Sequence, residues 1–181
     1  MIHSQAITAF QRSCQEYFVC YAAAVNGLEE AAGRFAKCSP DKSKFLIVGT
    51  GHPDDGIWHA SMNIGRLLES SVRGGNFSDM IAKAFLIAIY SHWDEHYREL
   101  VANEVGVSKG SVLCDLMGDV RHIRNCIVHA KSIVRSEHNK IIILKWQLSP
   151  GPLRITEHMF RDFIDQVNMM QVRIKPPTVE M

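Results

Sequence analysis

The chain has 181 residues, 46% hydrophobic and 22% charged, which is enough for one globular domain with a core of its own. Its 20 basic and 19 acidic residues nearly cancel, which excludes the general cationic field that makes a protein bind nucleic acid indiscriminately. The five cysteines are odd in number and form no C-x-x-C pair. Neither a disulfide framework nor a thiolate metal site is therefore expected.

The N-terminal residues carry polar or charged side chains at regular intervals, which excludes the apolar core of a signal peptide. No uninterrupted apolar run elsewhere reaches membrane-spanning length. We therefore expect a cytoplasmic protein that does not associate with membranes.

Three helices are expected in the first part of the chain. Apolar residues recur at helical spacing over about 2–37 and predict one long first helix. Residues 38–55 are rich in glycine and proline and predict a connection, in which the short apolar run 45–48 allows an extended piece. A second helix is expected from residue 54 or 55 to the glycine pair at 74 and 75. A third, at about 77–105, is apolar at first and then polar, which predicts the central helix.

The second part of the chain predicts two more helices and a hairpin. The fourth helix is expected from about Ser111 to Val134. The β-branched run 141–146 and the segment 153–155, separated by the turn sequence SPGP, predict a small hairpin. Thr156 is a good N-cap for a final amphipathic helix at about 157–172. The expected fold class is all-α, an up-and-down bundle of four to five helices with a small β-hairpin before the C-terminal helix.

The fourth predicted helix contains the sequence RNCIVH, from Arg124 to His129. Projected at about 100° per residue, this helix has an apolar stripe on one side and polar residues on the other. Arg124 lies about 140° from His129 in the projection, so the two side chains would not naturally converge, although the long Arg stem can swing partway back. Two copies packed across a two-fold axis would line one cleft with both residues of both chains. The polar side carries Arg121, His122, Asn125, His129 and Ser132.

This motif resembles that of the HEPN family (higher eukaryotes and prokaryotes nucleotide-binding), in which an Arg, often followed by a polar residue, precedes a His by four to six positions. The match here is Arg124, Asn125 and His129, preceded by DVRHI and followed by AKSIV. The upstream stretch SHWDEHYREL looks like the aromatic and acidic stretch on the preceding core helix of many members. Its acidic position corresponds to Asp94, with Glu95 as the adjacent alternative.

The resemblance covers about residues 77–134 well and the rest only by helical layout. It implies one HEPN-like helical domain over 1–175, followed by a frayed tail at 176–181. It also implies a metal-independent RNA endonuclease that needs no cofactor and acts at a composite site in a homodimer. Small free-standing bacterial members are commonly toxins or antiphage effectors, so an antitoxin or defence-system partner protein is a further expectation.

The resemblance implies a role for each matching residue. His129 is expected to act as general acid or base, Arg124 as phosphate clamp and Asn125 as orienting group, with Asp94 or Glu95 positioning the arginine or the histidine. An imidazole can take a proton from an RNA 2′-hydroxyl near neutral pH, and a guanidinium can hold a phosphate bidentately. The expected products carry a 2′,3′-cyclic phosphate and a 5′-hydroxyl.

Other side chains near the motif allow two interpretations. Arg121, His122 and Lys131 are candidates for contacting RNA, but a solvated helix face explains them equally well, with Arg121 paired to an acidic neighbour. The aromatic residues of the third helix are either base-stacking platforms or core packing. These aromatic residues are Tyr90, Trp93 and Tyr97.

Two competing functions remain open. His92 to His96 spells H-x-x-E-H, the zinc pattern of inverted-motif metallopeptidases, although that pattern needs a distal carboxylate ligand and usually a much larger chain. The stronger rival is a non-catalytic HEPN module that binds a nucleotide, RNA or a partner protein.

Overall fold

The protein is mostly helical, with small antiparallel strand pairs. No helix among its described residues is both long and apolar enough to cross a membrane. The expected frayed tail lies outside the described residues apart from Pro176. A computed structural model describes residues 4–52, 54–135 and 140–176.

The chain divides into two compact units. The first contains Met1–Cys20 and Ile81–Met181, and the second contains Tyr21–Met80. The expected single domain stays a prediction. The helices are α1 (Gln5–Cys38), α2 (Ile64–Ser71), α3 (Asn76–His92), α4 (Arg98–Val105), α5 (Asp115–His129) and α6 (Glu157–Asn168).

The two longest helical stretches follow the apolar periodicity of the sequence. Along α1 the residues Phe10, Cys14, Tyr21 and Val25 are almost completely buried, at intervals of four, seven and four, so one stripe faces inward. Helices α3 and α4 are joined without a break by a π-helical segment, Trp93–Tyr97. The expected first and third helices are therefore confirmed.

A β-hairpin occupies most of the region expected to begin the second helix. Strand β1 (Phe45–Thr50) pairs with β2 (Ile57–Asn63), and α2 begins only at Ile64. A start at residue 54 or 55 was wrong because the glycines allow a close approach of the two strands. A β-carbon at Gly49 would lie 2.6 Å from the carbonyl oxygen of Ile57.

The turn between α2 and α3 requires a glycine. A β-carbon at Gly75 would lie 2.5 Å from the carbonyl oxygen of Ser70, with two further backbone oxygens within 3 Å. We expect Gly75→Ala to lower the free energy of unfolding by more than about 1 kcal/mol, since backbone must move. Gly27→Ala, in α1 with nothing within 4 Å, should raise it by about 0.5–1 kcal/mol. Chemical denaturation checks both, and equal effects would contradict the steric explanation.

Helix α5 ends at His129, five residues before the expected end at Val134. Lys131 and Ser132 both adopt left-handed backbone conformations, with φ of 53° and 59°, which ends the helix. The amide of Ser132 donates to the carbonyl of Cys126 at 2.9 Å and closes the last turn. The chain then forms β4 (Ile133–Val134).

The hairpin expected from 141–146 and 153–155 was wrong in its pairing. Strand β4 pairs instead with β5 (Gly151–Pro152). The run from residue 141 forms no strand, because three of its amides donate to the carboxylate of Asp119 in α5, a side chain only 1% exposed. The donors are Ile142 at 2.9 Å, Ile143 at 2.6 Å and Leu144 at 2.8 Å.

The C-terminal helix was predicted well at its start. The hydroxyl of Thr156 accepts from the amide of Met159 at 3.2 Å, which confirms the N-cap. The helix ends at Asn168 rather than near Val172, because β6 (Arg173–Ile174) pairs with β3 (Val112–Leu113). Its buried stripe is Phe160, Phe163, Ile164 and Val167.

Candidate functional site

The three motif residues contact one another within one chain, at the C-terminal end of α5. The Nη1 atom of Arg124 donates to Nε2 of His129 at 3.0 Å. The same nitrogen lies 3.3 Å from Oδ1 of Asn125. His129 is exposed and is the last residue of the helix, whereas the other two are half-buried.

This contact differs from the projected separation of about 140° between the arginine and the histidine. The projection describes only the directions in which side chains leave the helix, and the arginine stem is long enough to reach from one direction to the other. No helical turn follows His129, so its ring is accessible at the helix end. A second chain is therefore not required to bring Arg124 and His129 together.

The guanidinium of Arg124 can donate further hydrogen bonds. Its Nε atom is buried and has no hydrogen-bond partner among the residues that the structure describes. A buried N–H without an acceptor costs free energy, so an acceptor at this position would stabilise the group. The bond to His129 requires an imidazole with an unprotonated Nε2, because a guanidinium can only donate. An arriving anion would compete with the imidazole for the arginine.

Further charged groups surround Tyr90 on α3. Burial and the nearby Asp94 carboxylate raise the pKa of Tyr90, while three guanidiniums act in the opposite direction. Those guanidiniums belong to Arg121, Arg98 and Arg124. Tyr90 thus marks a place where α5, α4 and the π segment bring three arginines and one aspartate into electrostatic range.

Asp94 contacts a different arginine from the one expected. Its Oδ1 atom accepts from Nη1 of Arg98 at 3.0 Å, and Nε of Arg98 donates to the carbonyl of Val112 at 3.0 Å. Within the described part of the chain, no hydrogen bond or ion pair joins Asp94 or Glu95 to Arg124 or to the histidine. Neither carboxylate directly positions the motif, so the site contains an ion pair beside it instead.

A cavity of about 180 Å³ lies beside this ion pair. Tyr90, Asp94, Arg98 and Arg121 supply its polar walls, and Cys114 also lines it. Burial raises the pKa of the Cys114 thiol to about 11, so the group is protonated near neutral pH and is not a nucleophile. Sequence reasoning missed Arg98, although its position four residues after Asp94 on a helix is a recognisable pairing signal.

The remaining expected RNA contacts are not joined to the motif by hydrogen bonds. Arg121 is exposed at the cavity, His122 is half-buried, and Lys131 is exposed with a left-handed backbone. Their proposed contacts with RNA stay predictions.

Two of the three aromatic candidates pack into the first unit. Trp93 is 3% exposed and its ring centroid lies 5.2 Å from that of Phe10. Tyr97 packs against the same ring at 5.3 Å. Core packing explains both residues, although Trp93 also lines the cavity, and Tyr90 borders it close to the arginines.

The H-x-x-E-H histidines have other neighbours. Nδ1 of His92 lies 3.3 Å from the hydroxyl of Tyr17, and the ring of His96 meets Tyr97 edge-on at 5.0 Å. Within residues 4–52, 54–135 and 140–176, no group of three or more His, Cys, Asp or Glu side chains is arranged to hold a metal ion. The third ligand that this zinc pattern needs is therefore missing from the described residues.

Comparison of the chain with protein-family models, with curated proteins and with solved structures finds no match in any of the three. The resemblance to HEPN proteins stays a prediction that rests on the motif residues and their surroundings.

Proposed function

We propose that this protein is a metal-independent RNA endonuclease of the HEPN type. The observation that carries the proposal is the contact between Arg124 and His129, an anion-binding group and a proton-transfer group 3.0 Å apart at an exposed helix end. General acid–base catalysis requires such groups within hydrogen-bond reach of the same substrate atoms.

The reaction is an attack of an RNA 2′-hydroxyl on the adjacent phosphorus. His129 takes the proton of the hydroxyl through an unprotonated nitrogen, a P–O bond to the 2′-oxygen forms, and the bond to the 5′-oxygen breaks. Arg124 donates to the phosphate oxygens as negative charge builds on them. The products carry a 2′,3′-cyclic phosphate and a 5′-hydroxyl.

The departing 5′-oxygen must receive a proton. The imidazole that accepted the proton of the 2′-hydroxyl lies on the opposite side of the phosphorus, so it cannot donate that proton to the 5′-oxygen. A second His129, from a second copy of the chain, supplies a separate acid. The homodimer is thus proposed for a reason other than convergence of the arginine with the histidine, which one chain achieves alone.

The arginines around Tyr90 provide the binding surface for the substrate. The whole chain has a formal net charge of only +1, so attraction to a polyanion must be local. Arg121 at the cavity and Arg124, three residues later on α5, would contact successive phosphates, whereas Arg98 is already paired with Asp94. A growth-arresting toxin or an antiphage effector is the cellular role that this activity would serve.

The test is cleavage of RNA in excess EDTA by the purified protein. We expect Arg124→Ala to lower the rate about 100-fold or more and Arg124→Lys to lower it nearly as much, because a lysine has neither the planar fork nor the reach to bind both phosphate and imidazole. Product ends are identified by their resistance to, or acceptance of, enzymatic end-labelling. Arg12→Ala, an exposed arginine on α1, is the matched control.

Unchanged cleavage by Arg124→Ala would contradict the assignment of the clamp. RNA that stays intact with the unaltered protein, together with saturable binding of RNA or a nucleotide, would instead support the non-catalytic alternative.

A further inference from the structure

The β1–β2 hairpin of the second unit exposes large apolar side chains that most proteins bury. Phe45 and Trp58 are each 62% exposed, and Ile57 is 67% exposed. Ile47 lies on the same face as Phe45 and Trp58, whereas Val48 and Ile57 lie on the other, so both faces of the hairpin expose apolar side chains. An isolated two-stranded hairpin is at best marginally stable in water, and a contiguous exposed apolar patch marks an interaction surface.

The outer edge of β1 is suited to strand addition. Within the described chain, β1 pairs with β2 alone, so every second amide and carbonyl of β1 points away from the sheet. The run Phe45–Val48 contains no charged residue and no proline, the features by which edge strands normally prevent pairing. In β2, by contrast, the pairing is irregular: Val48 pairs with Ala60 and Gly49 with Trp58, so His59 between them has no partner in the register.

Opposite charges lie at the two ends of the hairpin. At its base are Lys42 and Lys44, whose carbonyls accept from the first amides of α2, together with Arg66. Asp41 reduces the positive charge of the base but does not cancel it. At the tip, between the strands, are Asp54 and Asp55, both exposed, with Oδ2 of Asp54 3.4 Å from Nδ1 of His52.

We propose that β1 pairs edge to edge with β1 of a second copy of this chain, antiparallel and about a two-fold axis. Antiparallel pairing brings the base of each hairpin beside the tip of the other, so Lys42 and Lys44 of each copy meet Asp54 and Asp55 of its partner. A parallel arrangement would place like charges together. The main-chain bonds and the apolar side chains supply affinity, and the charges select the orientation. This inference does not depend on the proposed ribonuclease activity.

The decisive experiment exchanges the charges and measures mass by analytical ultracentrifugation in the absence of RNA. One variant carries Lys42→Glu and Lys44→Glu, and the other carries Asp54→Lys and Asp55→Lys. Each variant alone places like charges at both ends of the pair, and its dimer should dissociate about tenfold or more readily. Mixing the two variants recreates opposite charges at both ends, and the mixture should regain the affinity of the unaltered protein.

Loss of affinity in each variant, followed by recovery in the mixture, supports antiparallel pairing through β1, because a parallel pair has like charges in the unaltered protein and in each variant alike. Recovery also shows that both variants are folded. A monomeric unaltered protein at micromolar concentration would overturn the proposal. The proposal would also be overturned by single variants whose dimer affinity equals that of the unaltered protein, or by a mixture whose affinity does not return to that value. The matched control, Arg12→Glu with Arg34→Glu, makes the same change in net charge on exposed positions of α1 and should leave the dimer intact.

A measurement on the unaltered protein covers the case in which a charge variant does not fold. Hydrogen exchange of the amides in Phe45–Thr50 should slow as the protein is concentrated, because the outer edge becomes paired. Exchange rates independent of concentration over the range in which the mass doubles would show that another surface forms the dimer.

Discussion

Replacing His129 by alanine is expected to lower RNA cleavage by about 100-fold to 10,000-fold, the range that a positioned acid or base supplies. The ring is the only imidazole that touches the motif arginine in the described chain, and it lies at an exposed helix end. The fold should survive, because the side chain contributes no buried packing. Cleavage of a fluorogenic RNA in EDTA measures the loss.

The matched control is His158→Ala, which removes an exposed imidazole from α6, one that lies outside the motif contact. It should retain most of the activity. If His129→Ala retains full activity while Arg124→Ala loses it, the arginine binds RNA but the histidine is not the proton-transfer group. Equal and complete losses in both histidine variants would indicate damage to the fold rather than to the site.

The largest expected effect on stability comes from Asp119. Its carboxylate is 1% exposed and accepts three backbone hydrogen bonds, so Asp119→Ala would leave three amides without an acceptor. We expect the free energy of unfolding to fall by about 3 kcal/mol or more. The corresponding loss in Tm is about 6–12 °C.

Asp119→Asn distinguishes charge from shape, since the amide keeps one acceptor oxygen but presents a donor to the remaining amides. It should lose most of the same stability. Asp165→Asn, an exposed position on α6, is the control for a change of charge. Thermal unfolding followed by circular dichroism compares all three variants. An Asp119→Ala protein as stable as the original would show that water replaces the carboxylate without cost.

Helices with strong periodicity were predictable because burial repeats along them. The intervals of buried residues in α1 are visible in the sequence, as is the N-cap Thr156. The hairpin was not predictable in the same way, since it depends on close backbone approaches at Gly49 that appear only once the strands face each other. The end of α5 depends on left-handed conformations at Lys131 and Ser132, residue types that rarely adopt them.

The candidate site was predictable in its residue types but not in its connections. Arg124, Asn125 and His129 follow from spacing alone, whereas their mutual contact depends on where a long stem turns. Asp94 was expected to position the arginine or the histidine of the motif, whereas its carboxylate pairs with Arg98, four residues later across the π segment.

That segment also determines the phase of the helix that follows it. The amide of Arg98 bonds to the carbonyl five residues earlier, at Trp93, which accommodates one residue more than a regular turn holds. The wider turn absorbs that residue, whereas a regular α-helix through the same residues would turn everything after Tyr97 by about 100° around the axis. Arg98 would then leave the cavity while the helix remained intact. The π segment thus decides how many guanidiniums face Tyr90.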